Sequence, residues 1–176
     1  MKIARIPVLL CLLVAFAACG KKPEPEARPA QDWPAFVQQF ADDFMEAHPM
    51  MAFAAGRTEY AGRFPDWSAN GIAAEIARLK SAAEQAKAFD AAKLTEAQRF
   101  ERDYLLGVVA RHLFWLERAE WPFRNPTFYF DWNLDFLSPD PYLTKPYAPL
   151  DERMRDFTKW LTNLPRATEQ IRENLR

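Results

Sequence analysis

Apolar side chains recur along much of this chain at intervals of three and four residues, the spacing that places them on one face of an α-helix. The clearest example is the stripe that starts at Trp33 and continues through Phe36, Val37, Phe40 and Phe44. No segment alternates apolar and polar residues as a half-buried β-strand would. The sequence therefore predicts an all-α, irregular multi-helix domain of about six to seven helices, without a repeat period.

Two helix starts follow from capping residues. Ser68 is a candidate N-cap, and Thr95 and Gln98 stand in the capping-box relation at the start of a later helix. Residues 104–116 of that later helix are apolar nearly all round. We therefore expect it to be a central helix, covered by protein on most sides.

Prolines set several of the other boundaries. The first helix is predicted to end near Ala47 and a short one to begin at Pro49, because the residue before a proline disfavours helical geometry. A further helix is predicted over residues 127–137. Pro165 is expected to separate a helix over residues 150–163, with Leu161 facing inward, from a last helix that begins at the proline.

The first 18 residues have the composition of a bacterial lipoprotein signal peptide. Lys2 and Arg5 give a positive start, residues 6–18 are apolar, and two alanines precede Cys19, whose thiol would carry a diacylglycerol. A transmembrane anchor is the alternative, but the apolar stretch spans only ~20 Å as a helix, short of a hydrocarbon core of ~30 Å. We therefore predict cleavage before Cys19 and lipidation of that residue.

Residues 19–30 are predicted to be the lipidated cysteine and a flexible tether, because three prolines and almost no apolar side chains follow Cys19. The folded domain is predicted to cover residues 31–176. Gly20, and not an aspartate, follows the cysteine. This resembles lipoproteins sorted to the outer membrane, so the predicted location is the cell envelope, lipid-anchored and facing the periplasm.

Composition excludes several classes of function. After cleavage, Cys19 would be the sole cysteine and would be consumed by lipid, which leaves no disulfide and no thiol nucleophile. The formal net charge of the chain is −1, without long runs of either sign, which does not suit a nucleic-acid partner. The predicted partner is the membrane, through Cys19.

Catalytic motifs are missing from the sequence. A zinc site needs about three converging ligands, but the chain has only two histidines, His48 and His112, 64 residues apart, and no His-Glu-x-x-His. His112 is expected to be a hydrogen-bonded core residue. There is no Gly-x-Ser-x-Gly elbow and no glycine-rich phosphate loop. We predict no catalytic residue, metal ligand or cofactor site in this chain.

Residues 121–147 hold nine aromatic residues and several prolines. One interpretation is an aromatic groove for a peptide or glycan, whose candidate substrate-binding residues are Arg124, Asn125, Tyr129 and Asp131. The other is that the aromatic side chains pin an irregular segment onto the helices. We favour the second interpretation.

Four short motifs carry a family resemblance. They are the run from Asp43 through Pro49 to Gly56, the segment Phe100-Glu-Arg-Asp-Tyr104-Leu105-Leu106, the sequence Arg124-Asn125-Pro126-x-Phe128-Tyr129, and Tyr147-Ala148-Pro149-x-Asp151-Glu152-Arg153 followed by Leu164-Pro165. In order and spacing they resemble the amino-terminal part of the bacterial domain-of-unknown-function 885 family. The resemblance covers residues 31–176.

The resemblance implies an all-helical protein several hundred residues longer than this chain, often a lipoprotein. It also implies a relation to zinc metallopeptidases, through a His-Glu-x-x-Pro-Gly-His type motif in the carboxy-terminal half, and hence a peptide substrate. This chain stops before that half, so no catalytic residue is carried over and zinc is implied only for the missing half. We expect a truncated sequence, an interrupted reading frame or one half of a split protein.

Two hypotheses of function follow. The first is a membrane-anchored envelope lipoprotein that forms the scaffold and one wall of the substrate cleft of a metallopeptidase-like protein, inactive alone. The second is a complete, non-catalytic lipoprotein that acts as a binding or scaffolding module. The DNA downstream of the codon for Arg176 would distinguish them.

Overall fold

Helices account for most of the chain described by a computed structural model, which covers residues 32–132 and 137–175. None of these residues lies in a β-strand, so the predicted all-α class is confirmed. The signal peptide, Cys19 and the tether lie outside the described residues. The helices are α1 (Trp33–Ala47), α2 (Pro49–Ala54), α3 (Ala69–Ala88), α4 (Glu96–Leu113), α5 (Trp121–Arg124), α6 (Asp140–Thr144) and α7 (Leu150–Asn174).

The predicted helix starts are confirmed in atomic detail. The Ser68 hydroxyl accepts a hydrogen bond from the backbone N–H of Gly71 at 3.1 Å and caps α3. At the start of α4 the Thr95 hydroxyl accepts from the N–H of Gln98, and the Gln98 side chain accepts from the N–H of Thr95. Each bond satisfies a backbone donor that would otherwise have no intrahelical partner.

The prediction that Pro165 begins a new helix is wrong. Helix α7 runs through the proline without a break. Buried side chains lie on both sides of Pro165, Trp160 before it and Ala167 and Ile171 after it, and their burial outweighs one lost backbone hydrogen bond. Leu161, predicted to face inward, is 47% exposed because it lies outside this buried stripe.

The segment predicted as an α-helix over residues 127–137 begins differently. Phe128–Trp132 form a short π-helix, and residues 133–136 lie outside the described part of the chain. The carbonyl of Tyr129 accepts a hydrogen bond from the N–H of Leu137 at 3.0 Å. This bond ties the far end of the segment back to the π-helix.

Two hydrophobic clusters form the interior, and α7 contributes to both. The larger cluster joins α1, α3, α4, the π-helix after α5 and the second half of α7. The smaller cluster joins α2, the turn after it, α6 and the first half of α7. Its buried members are Ala52, Phe53, Tyr60, Ala61, Tyr142 and Trp160.

Helix α4 is not covered on most sides, which corrects the sequence-based expectation. Leu105 and Val109 are buried, but Phe100 is 72% and Tyr104 67% exposed. These two rings stack on each other at 6.4 Å, on the side of α4 that also carries Gly107. Apolar residues surround the helix axis, but only one stripe of them meets the rest of the described chain.

The aromatic face of α4 is defined here as Phe100, Tyr104, Gly107 and Phe114, the last being the first residue of the π-helix Phe114–Arg118. A Cβ atom added to Gly107 would meet nothing within 4 Å.

Among the described helices, none is both long enough and apolar enough to cross a bilayer.

Candidate functional site

A cleft of about 800 Å³ lies between α1, α3 and the end of α4. The loop that precedes α3 and the π-helices near residues 116 and 128 complete its wall. Apolar and charged side chains both line it, as in many small-molecule sites. The lining residues include Glu46, His48, Arg63, Glu75, Arg78, Arg111, His112, Trp115, Leu116, Trp121 and Phe128.

The most buried charges of the cleft belong to α3. Two nitrogens of Arg78, Nε and Nη2, each donate a hydrogen bond of 2.7 Å to the carboxylate of Glu75. The Arg78 guanidinium also lies over the rings of Phe40 and Phe44, at 5.8 Å and 5.6 Å. The paired geometry and the two rings hold Arg78 in one position.

His48 connects this pair to α4. Its Nε2 atom lies 3.5 Å from Oε1 of Glu75, and its ring centroid is 6.0 Å from that of His112. Both imidazoles contact the ring of Phe44. The two histidines, 64 residues apart in sequence, therefore share one wall of the cleft.

The expectation that His112 is a hydrogen-bonded core residue needs correction. Its ring lines the cleft and contacts Phe44 and His48. Little in the sequence indicated that the two histidines lie close together, because His48 lies between two helices and His112 lies near the end of another. Only the packing of α1 against α3 and α4 brings them together.

The environment shifts two pKa values in this group. Burial acts to raise the pKa of Glu75, but the hydrogen bonds from His48 and Arg78 outweigh it and lower the pKa to about 2. Burial, with the charge of His48 and Arg111 nearby, lowers the pKa of His112 to about 4. At neutral pH the cleft thus contains an ionised Glu75 and an uncharged His112.

Acidification is expected to destabilise the protein through His112. Its pKa is about 4 in the folded state against an ordinary 6.5, so the unfolded state binds the proton first. The stability that this residue contributes is full above pH 6.5 and is lost as the pH falls towards 4, by at most about 3 kcal/mol. Urea unfolding of the wild type and of His112→Gln over this range measures the difference.

The His112→Gln variant should show a flatter dependence of unfolding free energy on pH between 6.5 and 4. Below pH 4 both proteins should lose stability alike, because Glu75, with a pKa of about 2 in the folded state against an ordinary 4.5, takes up its proton first in the unfolded state. Parallel curves for the two proteins above pH 4.5 would contradict the assignment to His112.

The cleft does not have the donor set of a zinc site. Within residues 32–132 and 137–175, no group of three or more His, Cys, Asp or Glu side chains could hold a metal ion. The carboxylate of Glu75 is already engaged by Arg78. The zinc that the family resemblance implies would need ligands from outside this part of the chain.

Three of the four predicted substrate-binding residues, Arg124, Asn125 and Tyr129, do not line the cleft. Tyr129 is fully buried, its hydroxyl donating to the carbonyl of Pro122 at 2.7 Å and accepting from Asn174 at 2.9 Å. The Asn125 side chain accepts from the N–H of Thr127, in a local turn.

The other two residues differ in how far they are described. Arg124 is exposed and pairs with Glu120, one turn earlier. The side chain of Asp131 lies outside the described part of the structure. For Arg124, Asn125 and Tyr129 these contacts favour the packing interpretation of residues 121–147, and a ligand-binding role for them stays a prediction.

The described residues form an all-helical domain with a cleft lined by apolar and charged side chains. Residues 49–176 match the model of the family described as "Bacterial protein of unknown function (DUF885)". The chain belongs to that family, as its sequence motifs predicted. None of the curated proteins matches the chain.

One solved structure has the same fold. It is that of a Shewanella oneidensis protein described as a candidate lipoprotein of unknown function, 19% identical in sequence, with a TM-score of 0.72. The match covers 83% of this chain and 26% of the other. The chain thus spans about a quarter of the length of the structure that it resembles.

Proposed function

We propose that this chain is the amino-terminal helical part of a lipid-anchored envelope protein, and that it serves there as scaffold and as one wall of a larger substrate cleft. The surface that meets the rest of that protein is the aromatic face of α4. The polypeptide that covers this face is the one that corresponds to the remaining three quarters of the related Shewanella structure.

The exposed aromatic face carries this proposal. Large aromatic side chains that stay more than half exposed are rare in clusters on a complete soluble domain and are typical of interaction surfaces. Gly107 at its centre costs helix stability, and no side chain of the described residues comes near it. A glycine in this position would let a second helix approach α4 closely.

The proposed activity of the complete assembly is that of a zinc metallopeptidase-like protein on a peptide substrate. It rests on the family resemblance, which puts the metal in the carboxy-terminal half. This chain alone would have no peptidase activity. Its contribution would be to position the wall that holds His48, Glu75 and Arg78.

A complete, non-catalytic lipoprotein is the second candidate. The cleft supports it, because its mixture of apolar and charged side chains on one helical domain is typical of small-molecule sites. In that case the protein would bind its ligand at the envelope without any further polypeptide.

Lipidation predicts the behaviour of a Cys19→Ala variant. The wild type should incorporate radioactive palmitate and fractionate with membranes, since a diacylglycerol and a third acyl chain anchor a protein stably. The variant should remain unlabelled and appear in the soluble fraction. Labelling at unchanged level, or an unlabelled variant that still fractionates with membranes, would contradict anchoring through Cys19.

Substitution of Gly107 tests the proposed assembly. Gly107→Leu should stabilise the chain on its own by about 0.5–1 kcal/mol, because leucine is the better helix former and meets no obstacle. The same change should weaken association with the second polypeptide at least tenfold. Thermal unfolding measures the first effect and size-exclusion binding the second.

The second polypeptide for this experiment is the one encoded directly downstream of the codon for Arg176. We expect it to continue the helical pattern and to contain a His-Glu-x-x-x-x-His element. Ala77→Leu, at an exposed position of α3 outside the cleft lining, is the matched control and should leave association unchanged. A stop codon followed by an unrelated gene would overturn the proposal and favour the second candidate.

A further inference from the structure

The arginines of the cleft wall are paired within the chain, with one exception. Arg78 pairs with Glu75, and Arg63 pairs with Glu46. Among the described residues no carboxylate pairs with Arg111, whose side chain lines the cleft from α4. The cleft therefore has one guanidinium whose charge is not compensated by a direct partner among the described residues.

Arg111 differs in this from Arg78, the other arginine near the histidines. Arg78 already makes two hydrogen bonds to one carboxylate and lies over two phenyl rings. Moving it towards a ligand would leave the buried Glu75 charge without its partner, which is costly. Arg111 is exposed and can turn towards an anion without breaking such a pair.

Next to Arg111, the wall of the cleft is aromatic and apolar. Trp115 follows one helical turn after Arg111, and the rings of Trp115 and Trp121 are 4.2 Å apart. Leu116 and Phe128, which are buried, also line the cleft. An apolar group would thus lie within reach of an anion held by Arg111.

Of the other charged side chains that line the cleft, Arg63 and Arg78 are each paired with a carboxylate, and Asp43 and Asp66 add negative charge. His112, the next residue of α4, is uncharged at neutral pH because burial lowers its pKa to about 4. An uncharged imidazole can still donate a hydrogen bond to an oxygen. This arrangement suits an anion of one charge, such as a carboxylate, better than a dianion.

We propose that the cleft binds a small monocarboxylate with an aromatic or branched apolar body, its carboxylate at Arg111 and His112 and its body against Trp115 and Trp121. A volume of about 800 Å³ accommodates such a molecule. Of the proposed function, this inference uses only the role of the cleft as a binding surface. It depends neither on the lipid anchor nor on a second polypeptide.

The test compares 3-phenylpropionate with 3-phenylpropionamide, which has the same shape without the charge. The Cys19→Ala full chain is used, so that no detergent competes for the probes. Calorimetry should give the carboxylate a Kd at least tenfold lower than the amide. Equal affinities for the two probes, or binding of neither, would overturn the proposal.

Two variants locate the site. Arg111→Gln should remove the preference for the carboxylate, whereas Arg118→Gln, at an exposed arginine outside the cleft lining, should keep it. NMR signals of the indole N–H groups of Trp115 and Trp121 should shift on binding, and that of Trp160 should not. Equal losses in both variants, or shifts confined to Trp160, would place the probe elsewhere and refute the assignment.

The outcome is separate from that of the assembly experiment. If this chain binds the carboxylate but does not associate with a second polypeptide, the proposed ligand is supported and the scaffold role is rejected. If the chain associates with the second polypeptide but shows no preference for the carboxylate, the scaffold role is supported and the proposed ligand is rejected.

Discussion

Replacing Gly62 with alanine is expected to lower the free energy of unfolding by about 2–5 kcal/mol. Gly62 has a φ of +80°, a left-handed conformation that disfavours an L side chain. A Cβ atom there would lie 2.5 Å from Cβ of Lys159 and 3.1 Å from the backbone nitrogen of Trp160. Both obstacles belong to α7 near its backbone and cannot move aside without shifting the helix.

Gly62 is also fixed by hydrogen bonds to two other elements. Its N–H donates to the hydroxyl of Tyr142 at 2.9 Å, and its carbonyl accepts from the side chain of Asn163 at 2.9 Å. A shift of α7 that made room for a methyl group would strain both bonds. The penalty should therefore exceed that of the positive φ alone.

Gly56→Ala is the matched control for this prediction. Gly56 has a φ of +98°, but nothing lies within 4 Å of an added Cβ. Its alanine variant should lose only about 1–2 kcal/mol, the cost of the backbone conformation. Urea unfolding of both variants measures the difference, and equal losses would show that the contact with α7 is unimportant.

Replacing Tyr129 with alanine is expected to cost about 3–5 kcal/mol, as for other fully buried aromatic side chains. The ring packs edge-on against Trp67 at 5.3 Å and Phe128 at 5.0 Å. Its removal would leave a void in the larger cluster, where α7 meets the segment that follows α5. Thermal unfolding should record a large drop in Tm.

Tyr129→Phe separates the hydrogen bonds from the packing. This variant keeps the ring but leaves the carbonyl of Pro122 without its donor, at a cost of about 1–3 kcal/mol. If Tyr129 serves packing, the loss of stability in both variants should come without any loss of ligand affinity at the cleft. A Tyr129→Phe protein of wild-type stability would contradict this role.

Local signals in the sequence were enough to predict most of the helices. The caps at Ser68 and Thr95 act through hydrogen bonds that span only three residues, so the sequence contains the whole interaction. The boundary between Ala47 and Pro49 was equally predictable, because the proline itself restricts the residue before it.

The errors arose where distant contacts decide the local structure. Pro165 stays inside α7 because Trp160 on one side of it and Ile171 on the other are buried against different parts of the chain. The exposure of Phe100 and Tyr104 could not be predicted from the sequence. An apolar pattern indicates which side chains can be buried, but it does not show whether another part of the protein packs against them.

The cleft itself was not predictable from any single motif. Its polar group takes His48 from the junction of α1 and α2, Glu75 from α3 and His112 from α4. No two of these residues are close enough in sequence to form a recognisable spacing. The site exists only because three helices pack together, and no local pattern of residues specifies that packing.

The position of Pro165 has a mechanical consequence. It lies between the half of α7 that belongs to the smaller cluster and the half that belongs to the larger one. Because proline has no backbone N–H, α7 lacks one i to i−4 hydrogen bond here, and bending the helix requires the least free energy at this point. A force applied to one cluster would thus be relieved by flexing at Pro165 before it disturbed the packing of the other.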